Sequence, residues 1–553
     1  MLKYKERIFF GVQDTISGYL IDRLYEHGVR HAFGVPGDYV LAFYDQMHKS
    51  SIKIINTCDE QGAGFAADAY ARLNGLGLVC VTYGVGGLKI VNTTAQAYAE
   101  KSPVVVLSGA PGVKEQEKDP LLHHKVRDFD TQKKVFEQVT VASTVLSDSQ
   151  TAVDEIERVL AAAIQFKRPV YVELPRDMVM AKIGGHIHQR NAVIPRTDQT
   201  SLAESLQEAA AMINEAERPV ILAGEEVHRF GLQDSLLEFV DGTRIPVAST
   251  ILSKSVINEL NPAYIGIYQG AVGEESVRRY VEASDCTIIL GAMLTDLTLG
   301  MFSARIDKSK LIFATSEKIS IKHHHYEGVL FADFIKGLSG LGIKSRQPQT
   351  IFRRKLPRRA KASKKPVTIR YMIQALNKFL KDDMIVITDV GDALFASTEL
   401  VIRGNTQFLS PAYYASLGFA VPACIGAQTA RPDLRPLVLV GDGAFQMTGT
   451  ELTSAGRYGL NPIVVVLNNG GYLTERLLLD GSFNDLVNWD YASVPKLIGK
   501  GRGFSVLSEE DLDKALAASI KEKQFCILDV RLDPADMSKA LRRLTAEMAK
   551  KVR

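Results

Sequence analysis

Short, unbroken apolar runs recur along the chain, and most end in Gly, Asp or Asn. They read HAFGVPGD, LVCVTYGVGG, PVVVLSGAP, PVYVELP, PVILAGEE, CTIILGA, MIVITDVGD, PLVLVGDG and PIVVVLNN. Runs of Val, Ile and Leu without polar alternation predict strands buried on both faces, as in parallel sheets covered by helices. Longer segments with helical spacing lie between them. The pattern therefore predicts an α/β chain of repeated, doubly wound parallel sheets. Two stretches break it, residues 182–198 and the proline-punctuated, basic 344–366, KSRQPQTIFRRKLPRRAKASKKP, and both read as linkers. They divide the chain into 1–185, 186–360 and 361–553, three domains of ordinary size. The first and third each carry a strand end followed by glycine, a carboxylate and a helix; the middle one offers no such cluster. The C-terminal KALRRLTAEMAKKVR predicts an amphipathic helix that either caps a site or covers a domain edge.

Composition narrows the function classes. The 553 residues are 46% hydrophobic and 23% charged, ordinary globular values that argue against disorder. Lys and Arg total 66 against 63 Asp and Glu, a net +3, which gives no electrostatic case for a nucleic-acid partner. The basic stretch in 344–366 then reads as a solvated crossing. The apolar run from Ile8 to Val12 is too short for a signal-peptide core, and no stretch has the apolar length of a bilayer span. Cys58, Cys80, Cys286, Cys424 and Cys526 lack C-x-x-C spacing and read as reduced thiols of a cytoplasmic protein.

The richest chemistry lies in residues 441–475. The strand LVLV ends in Gly441-Asp442-Gly443 and passes into AFQMTGTELTSAGRYG, which has helical spacing. Glycines let backbone N–H groups approach a phosphate, and the helix N-terminus adds a favourable dipole. The next strand ends in Asn468-Asn469-Gly470-Gly471, one helix and one strand beyond Asp442. Two adjacent parallel strands would deliver a carboxylate and a carboxamide to one point. With a backbone carbonyl, two diphosphate oxygens and water, that donor set suits octahedral Mg²⁺. A lone G-D-G is most often just a turn; the N-N end at this spacing makes a metal-bound diphosphate the better reading.

G-D-G, a helix, a strand and then N-N resembles the signature of thiamine-diphosphate-dependent enzymes. The resemblance implies Asp442 and Asn469 as side-chain metal ligands and the Gly471 carbonyl as the backbone ligand. In the first domain a strand leads into Cys58-Asp59-Glu60 and the small-residue helix GAGFAADAYARL. On the residues alone Glu60 is equally an acid favoured at a helix N-terminus. The resemblance makes it the glutamate that binds the aminopyrimidine ring and drives removal of the thiazolium proton. The loop Tyr83-Gly-Val-Gly-Gly-Leu-Lys89 fails the dinucleotide pattern because position 89 is Lys. It is instead similar to the G-V-G-x-L…AYAE…P run of thiamine-dependent decarboxylases, with Gly87 where many of them carry Glu.

His123-His124 is either a surface pair, like the functionless His323-His324-His325, or a pair of proton donors. An L-H-H at this distance from the glutamate resembles the 2-oxo acid decarboxylase branch. By the same resemblance Asp38 of GVPGD and Glu475 of GYLTE complete the acid–base set, whose titrations would be coupled. Leu417 corresponds to the aliphatic wedge that bends the cofactor. Gly391, Asp392, Ala415, Gly441, Gly443, Ala444, Phe445 and Tyr472 fall at cofactor-binding positions. Val390, Leu394, Thr474 and Leu478 fall near the substrate chain.

YYASLGFAVPA, GDGAFQMTG and FNDLVNWDYA are most similar to indolepyruvate, phenylpyruvate and branched-chain 2-oxo acid decarboxylases. The implied reaction is non-oxidative decarboxylation of a 2-oxo acid to an aldehyde and CO₂ with thiamine diphosphate and Mg²⁺. Thr474, smaller than the residue of strict pyruvate decarboxylases, leans toward longer aliphatic or aromatic substrates. The family also implies a homodimer as the minimal active unit, doubled to a tetramer, with no membrane partner. The rivals are an acetohydroxyacid synthase or carboligase, a flavin-containing oxidase on the same scaffold, and a non-catalytic thiamine-diphosphate-binding regulator. His123-His124 argues against the first, and retention of Glu60 and Glu475 against the last.

Overall fold

The computed structural model describes residues 14–184, 196–347 and 361–552. Both expected linkers fall largely outside those residues, as does the apolar run at the N-terminus. The chain divides into two compact units, Met1–Val193 and Ile194–Arg553. No helix among the described residues is long and apolar enough to cross a membrane.

The first unit holds a six-stranded sheet of β1 (His31–Gly34), β2 (Lys53–Asn56), β3 (Gly77–Val81), β4 (Val104–Ala110), β5 (Ala142–Val145) and β6 (Val170–Pro175). Its order is β2-β1-β3-β4-β6-β5 and every pairing is parallel. β3 and β4 are buried at every position, as unbroken apolar runs require when helices cover both faces. The strand order reverses between β1 and β3, which opens a crevice at their carboxyl ends.

The second unit contains two sheets. The first has β7 (Pro219–Ala223), β8 (Val247–Ser249), β9 (Tyr264–Ile267), β10 (Cys286–Leu290), β11 (Leu311–Ala314), β12 (Ile319–Ile321) and β13 (His324–Tyr326). Five of these strands follow the expected parallel pattern, but β12 and β13 pair antiparallel at the edge. Tight turns join these short strands, and antiparallel neighbours need no crossover helix. His324 and His325 sit on this exposed edge, where His324 Nδ1 lies 3.0 Å from Glu208.

The second sheet has β14 (Met384–Thr388), β15 (Gln407–Leu409), β16 (Arg435–Gly441), β17 (Ile463–Asn468), β18 (Arg502–Val506) and β19 (Cys526–Arg531). Its order, β15-β14-β16-β17-β19-β18, reproduces that of the first unit's sheet strand for strand. The chain thus contains two copies of one topology, each with its reversal after the first strand.

Within the second unit, Ile251, Leu252, Ile267 and Val272 join the core of the β14–β19 sheet. The fully buried pair Lys254–Glu259 adds a polar seam there. Lys254 Nζ lies 2.5 Å from Glu259 and donates to the carbonyls of Leu400, at 2.7 Å, and Thr398, at 3.4 Å. Those carbonyls add to the ammonium's coordination, which a desolvated charge needs.

One expectation fails in the sheet of β7 to β13. The segment does carry a strand end, a glycine and carboxylates: β7 runs into Gly224, Glu225 and Glu226. Their partners explain why no ligand cradle forms. Glu225 accepts the Met293 N–H at 2.8 Å, and Glu226 accepts from Ser316 through its N–H and hydroxyl. A Cβ on Gly224 would lie 2.1 Å from Ala292 Cα, so backbone closes the crevice between β7 and β10. These acids stitch strand ends together.

The C-terminal helix Lys539–Val552 packs against the helices Asp392–Ser397 and Leu473–Leu478. Its start is tethered by the Ser538 N–H on Asp392 Oδ2 at 2.8 Å, and Arg543 Nε donates to the Val272 carbonyl at 2.6 Å. Of the two readings left open for it, it covers the helices that carry the expected substrate pocket.

Candidate active site

In the first unit the crevice between β1 and β3 gathers Asp38, His123 and His124. Asp38 follows β1, and its Oδ2 lies 2.7 Å from His123 Nε2. Burial alone would raise the Asp38 carboxyl, but the hydrogen bond and charge of His123 outweigh it and hold the group below its usual range. The buried Tyr39 ring stacks on His123 at 4.8 Å, and His124 stands edge-on to His123 at 4.7 Å. One ligating atom from each of Asp38, His123 and His124 fits within 4.8 Å, so all three can address a single reacting atom. The backbone is bent to achieve this. His124 has φ +68°, and Gly84, at φ +66°, packs so closely that a Cβ there would sit 2.4 Å from the His124 carbonyl oxygen.

Glu60 opens the helix Glu60–Asn74, which Asp59 caps by accepting the Gln61 N–H at 2.7 Å. Lys89, from the short 3₁₀ turn after β3, reaches both acids: its Nζ contacts Asp59 Oδ2 and lies 3.2 Å from Glu60 Oε2. The helix is anchored further along by the buried cluster Asp68, Arg72 and Glu100.

In the β14–β19 sheet the corresponding crevice lies between β14 and β16. β16 and β17 are adjacent and parallel, with Gly441 opposite Leu467, so the ends bearing Asp442 and Asn469 do converge. Asp442 accepts the Gly443 N–H at 2.9 Å and the Gly470 N–H at 2.7 Å. Burial raises its carboxyl above the usual range, and backbone N–H groups of Gly470, Gly443, Gly471 and Asn469 offset that only partly. Asn469 Oδ1 faces the Gly471 N–H at 3.4 Å. The turn is strapped from outside: Tyr472 N–H donates to the Asn484 carbonyl at 2.9 Å, and Arg476 joins Asp485 to the Gly470 carbonyl. Gly443 has no room for a side chain, because a Cβ would meet the Tyr472 ring at 2.5 Å. Ala444 and Phe445 continue the helix Asp442–Thr448, with Phe445 edge-on to Tyr491 at 5.4 Å.

Across the crevice, Gly391 and Asp392 begin the helix Asp392–Ser397. Asp392 Oδ1 is buried without a hydrogen-bond partner, and burial pushes the carboxyl up to about 6. A Cβ on Gly391 would meet only Thr474 Oγ1, at 3.7 Å, so Gly391 and Thr474 border one space, with half-buried Val390 next to Gly391 in the chain. Leu478 is half-buried one turn beyond Thr474, whereas Leu394 is fully buried in the core. Glu475 is exposed in the first turn of the helix Leu473–Leu478. Ala415 takes a left-handed φ of +59° just before half-buried Leu417.

Three positions stand out that the sequence did not single out for these roles. Lys89 matters as the partner of Glu60 rather than as a broken dinucleotide pattern. Gln132 fills the space beside Gly87, where a Cβ would meet its Oε1 at 2.2 Å; it also accepts the Gly84 N–H at 2.7 Å and donates to Ser108 and Tyr171. Asp389, fully buried, accepts N–H groups of Val390, Gly418 and Ala420 and so fixes the loop bearing Leu417. Asp389 left a sequence trace as the first carboxylate of MIVITDVGD and Lys89 as the residue that breaks the dinucleotide pattern, whereas Gln132 left none.

Comparison with known proteins agrees along the whole chain. Residues 14–135 match the N-terminal binding domain of thiamine pyrophosphate enzymes, 206–341 their central domain and 389–530 their C-terminal binding domain. An indole-3-pyruvate decarboxylase of Azospirillum brasilense is 35% identical over 532 residues, 95% of this chain and 96% of that protein. An alpha-keto-acid decarboxylase of Mycolicibacterium paratuberculosis is 32% identical, covering 93% of each chain. Pyruvate decarboxylase 1 of Pisum sativum is 30% identical over 95% of this chain and 92% of its own. Three domain matches in order and relatives at 30–35% identity over more than nine-tenths of the chain show that it belongs to the thiamine-diphosphate-dependent 2-oxo acid decarboxylases.

Proposed function

We propose that this enzyme decarboxylates longer aliphatic or aromatic 2-oxo acids, of the phenylpyruvate, indolepyruvate and branched-chain type, in the cytoplasm. The observation that carries the chemistry is the Asp38–His123 contact of 2.7 Å with His124 beside it. It supplies coupled proton donors of the kind an aldehyde-forming step needs. The size preference rests on Thr474, a small side chain bordering the space at Gly391.

The residues present fit thiamine diphosphate and Mg²⁺. Asp442 is almost fully buried and offset only by backbone N–H groups, so a cation would supply its missing counter-charge. A Cβ on Gly441 would meet nothing within 4 Å, which leaves open space for a diphosphate beside that carboxylate. Asp442, Asn469 Oδ1 and the Gly471 carbonyl would hold the metal, with octahedral coordination completed by diphosphate and water. When bound, thiamine diphosphate supplies the carbon nucleophile and the electron sink for loss of CO₂. Glu60 would hold the pyrimidine ring and exchange a proton with it. Asp38 would keep His123 oriented, and His123, His124 and Glu475 would share the remaining proton transfers. Leu417 would support the bent cofactor. Residues 1–185 would bind the pyrimidine and 361–553 the diphosphate, with 186–360 as a central domain. The minimal active unit is proposed to be a homodimer, doubled to a tetramer.

Aldehyde release from a panel running from pyruvate to indolepyruvate, with thiamine diphosphate and Mg²⁺, tests this reading. We expect kcat/KM to be higher for the aromatic and branched substrates. A clear preference for pyruvate would sink the size argument, and acetolactate as the main product from pyruvate would favour a carboligase.

A further inference from the structure

Lys89 lies where it can govern the proposed key acid. Its ammonium bridges Asp59, the cap of the Glu60 helix, and Glu60 Oε2 at 3.2 Å. We propose that Lys89 is a positioning residue for Glu60: it holds that carboxylate oriented, and passes to Asp59 alone when Glu60 engages the cofactor's pyrimidine. This rests on the assignment of Glu60 to the pyrimidine ring.

Among the described residues, Lys89 is the cation in contact with Glu60, and Asp59 shares it. Lys89 is itself stabilised as a cation by Asp59 first and Glu60 second. Further along the same helix, Asp68 and Arg72 are locked to each other and to Glu100 of the neighbouring helix end. The adjacent strands β1 and β2 bring His31 and Lys53, but at their amino ends, across the sheet from Glu60. β3 and β4 bring no charged side chain. An opposite charge within hydrogen-bonding reach favours the ionised acid, and half-exposure of the lysine moderates the effect.

The sign of the effect is therefore fixed for two substitutions. Lys89→Met removes the opposite charge beside Glu60, so the acid limb of the kcat/KM profile should move upward. Lys89→Arg should restore it. Asp59→Asn keeps a good helix cap but leaves Lys89 wholly to Glu60, so the acid limb should move downward.

The experiment measures both the activity profile and the pH dependence of thiamine diphosphate binding with Mg²⁺. Binding is followed by the fluorescence of Trp489, the chain's single tryptophan, so it does not depend on turnover. Opposite shifts in Lys89→Met and Asp59→Asn, with rescue by Lys89→Arg, support the inference. Superimposable profiles in both readouts overturn it, and if Lys89→Met fails to fold, an unmoved profile in Asp59→Asn does so alone. Glu60→Gln separates the two layers. Native turnover in that variant removes the assignment of Glu60 itself, whereas an inactive Glu60→Gln beside unshifted Lys89 and Asp59 variants removes only the role of Lys89.

Discussion

Asp442 Oδ2 accepts the Gly470 N–H at 2.7 Å across 28 positions of sequence, tying the ends of β16 and β17 together. That contact helps fix the turn, a preorganisation that the proposed Mg²⁺ site would need.

Asp442→Asn should keep this turn but remove its charge. Thiamine diphosphate affinity in the presence of Mg²⁺ is expected to fall by at least about 100-fold, since a charged ligand becomes neutral. Trp489 follows Asn488, whose side chain lies 3.3 Å from Asn468 at the end of β17, so its fluorescence titration gives the measurement. Chelating Mg²⁺ from the native protein should reproduce the loss. Undiminished binding in the variant would count against Asp442 as a ligand.

Gly84→Ala should damage catalysis more than stability. The new Cβ would have to displace the His124 carbonyl now 2.4 Å away, and φ +66° disfavours any side chain. A shift of about 1 Å in His124 is worth up to about 100-fold in rate. We expect kcat to fall at least about tenfold with thiamine diphosphate affinity little changed. A variant with native kcat would show that the placement of His124 is unimportant.

How much of this was legible follows from where the determinants lie. Asp442 and Asn469 could be read because the chain crosses from one strand end to the next within one crossover and one strand, although the crossover expected as a single helix is two, Asp442–Thr448 and Leu452–Arg457, joined by a 3₁₀ turn. Asp38 and His123 could be paired only through family resemblance, since 85 positions and three strands separate them. Lys89 was visible as a residue but not as the partner of Glu60, because the contact depends on how the turn after β3 packs on a helix that begins after β2. Glu225 was passed over because its burial depends on Met293 arriving from the far side of the crevice. The identical order of the first and third sheets was not read from the sequence. Topology constrains apolar periodicity, and many sequences satisfy it.

Arg72→Met should be severely destabilising. Arg72 bonds Asp68 through two nitrogens at 2.7 Å and pairs with Glu100 at 2.9 Å, all inside the helix packing that presents Glu60. Removing the cation strands two buried carboxylates, which typically costs about 3–5 kcal/mol. A urea titration should show a correspondingly lower midpoint, with loss of activity preceding global unfolding. A midpoint within error of the native one would mean the cluster contributes little.

Glu225 gives stability a pH dependence whose sign can be worked out. The side chain is fully buried; burial pushes its carboxyl up to about 7, and the neighbouring Glu226 charge adds to this against opposing backbone hydrogen bonds. Unfolded, the same carboxyl titrates near 4.5. Between those values the native state holds the proton and the unfolded state has released it, so stability falls as pH rises through the window. The contribution is complete below about pH 4.5 and is lost above about 7. Glutamine can still accept the Met293 N–H but never ionises. Any cost of its amide next to the position of the unpartnered Oε2 is the same at every pH. The variant Glu225→Gln should therefore gain on the native protein with rising pH, by on the order of 2–3 kcal/mol between pH 5 and pH 8. Apparent Tm values of both proteins across that range give the test. Parallel curves would mean that Glu225 ionises in the folded protein as easily as in the unfolded one, and that another group supplies its counter-charge.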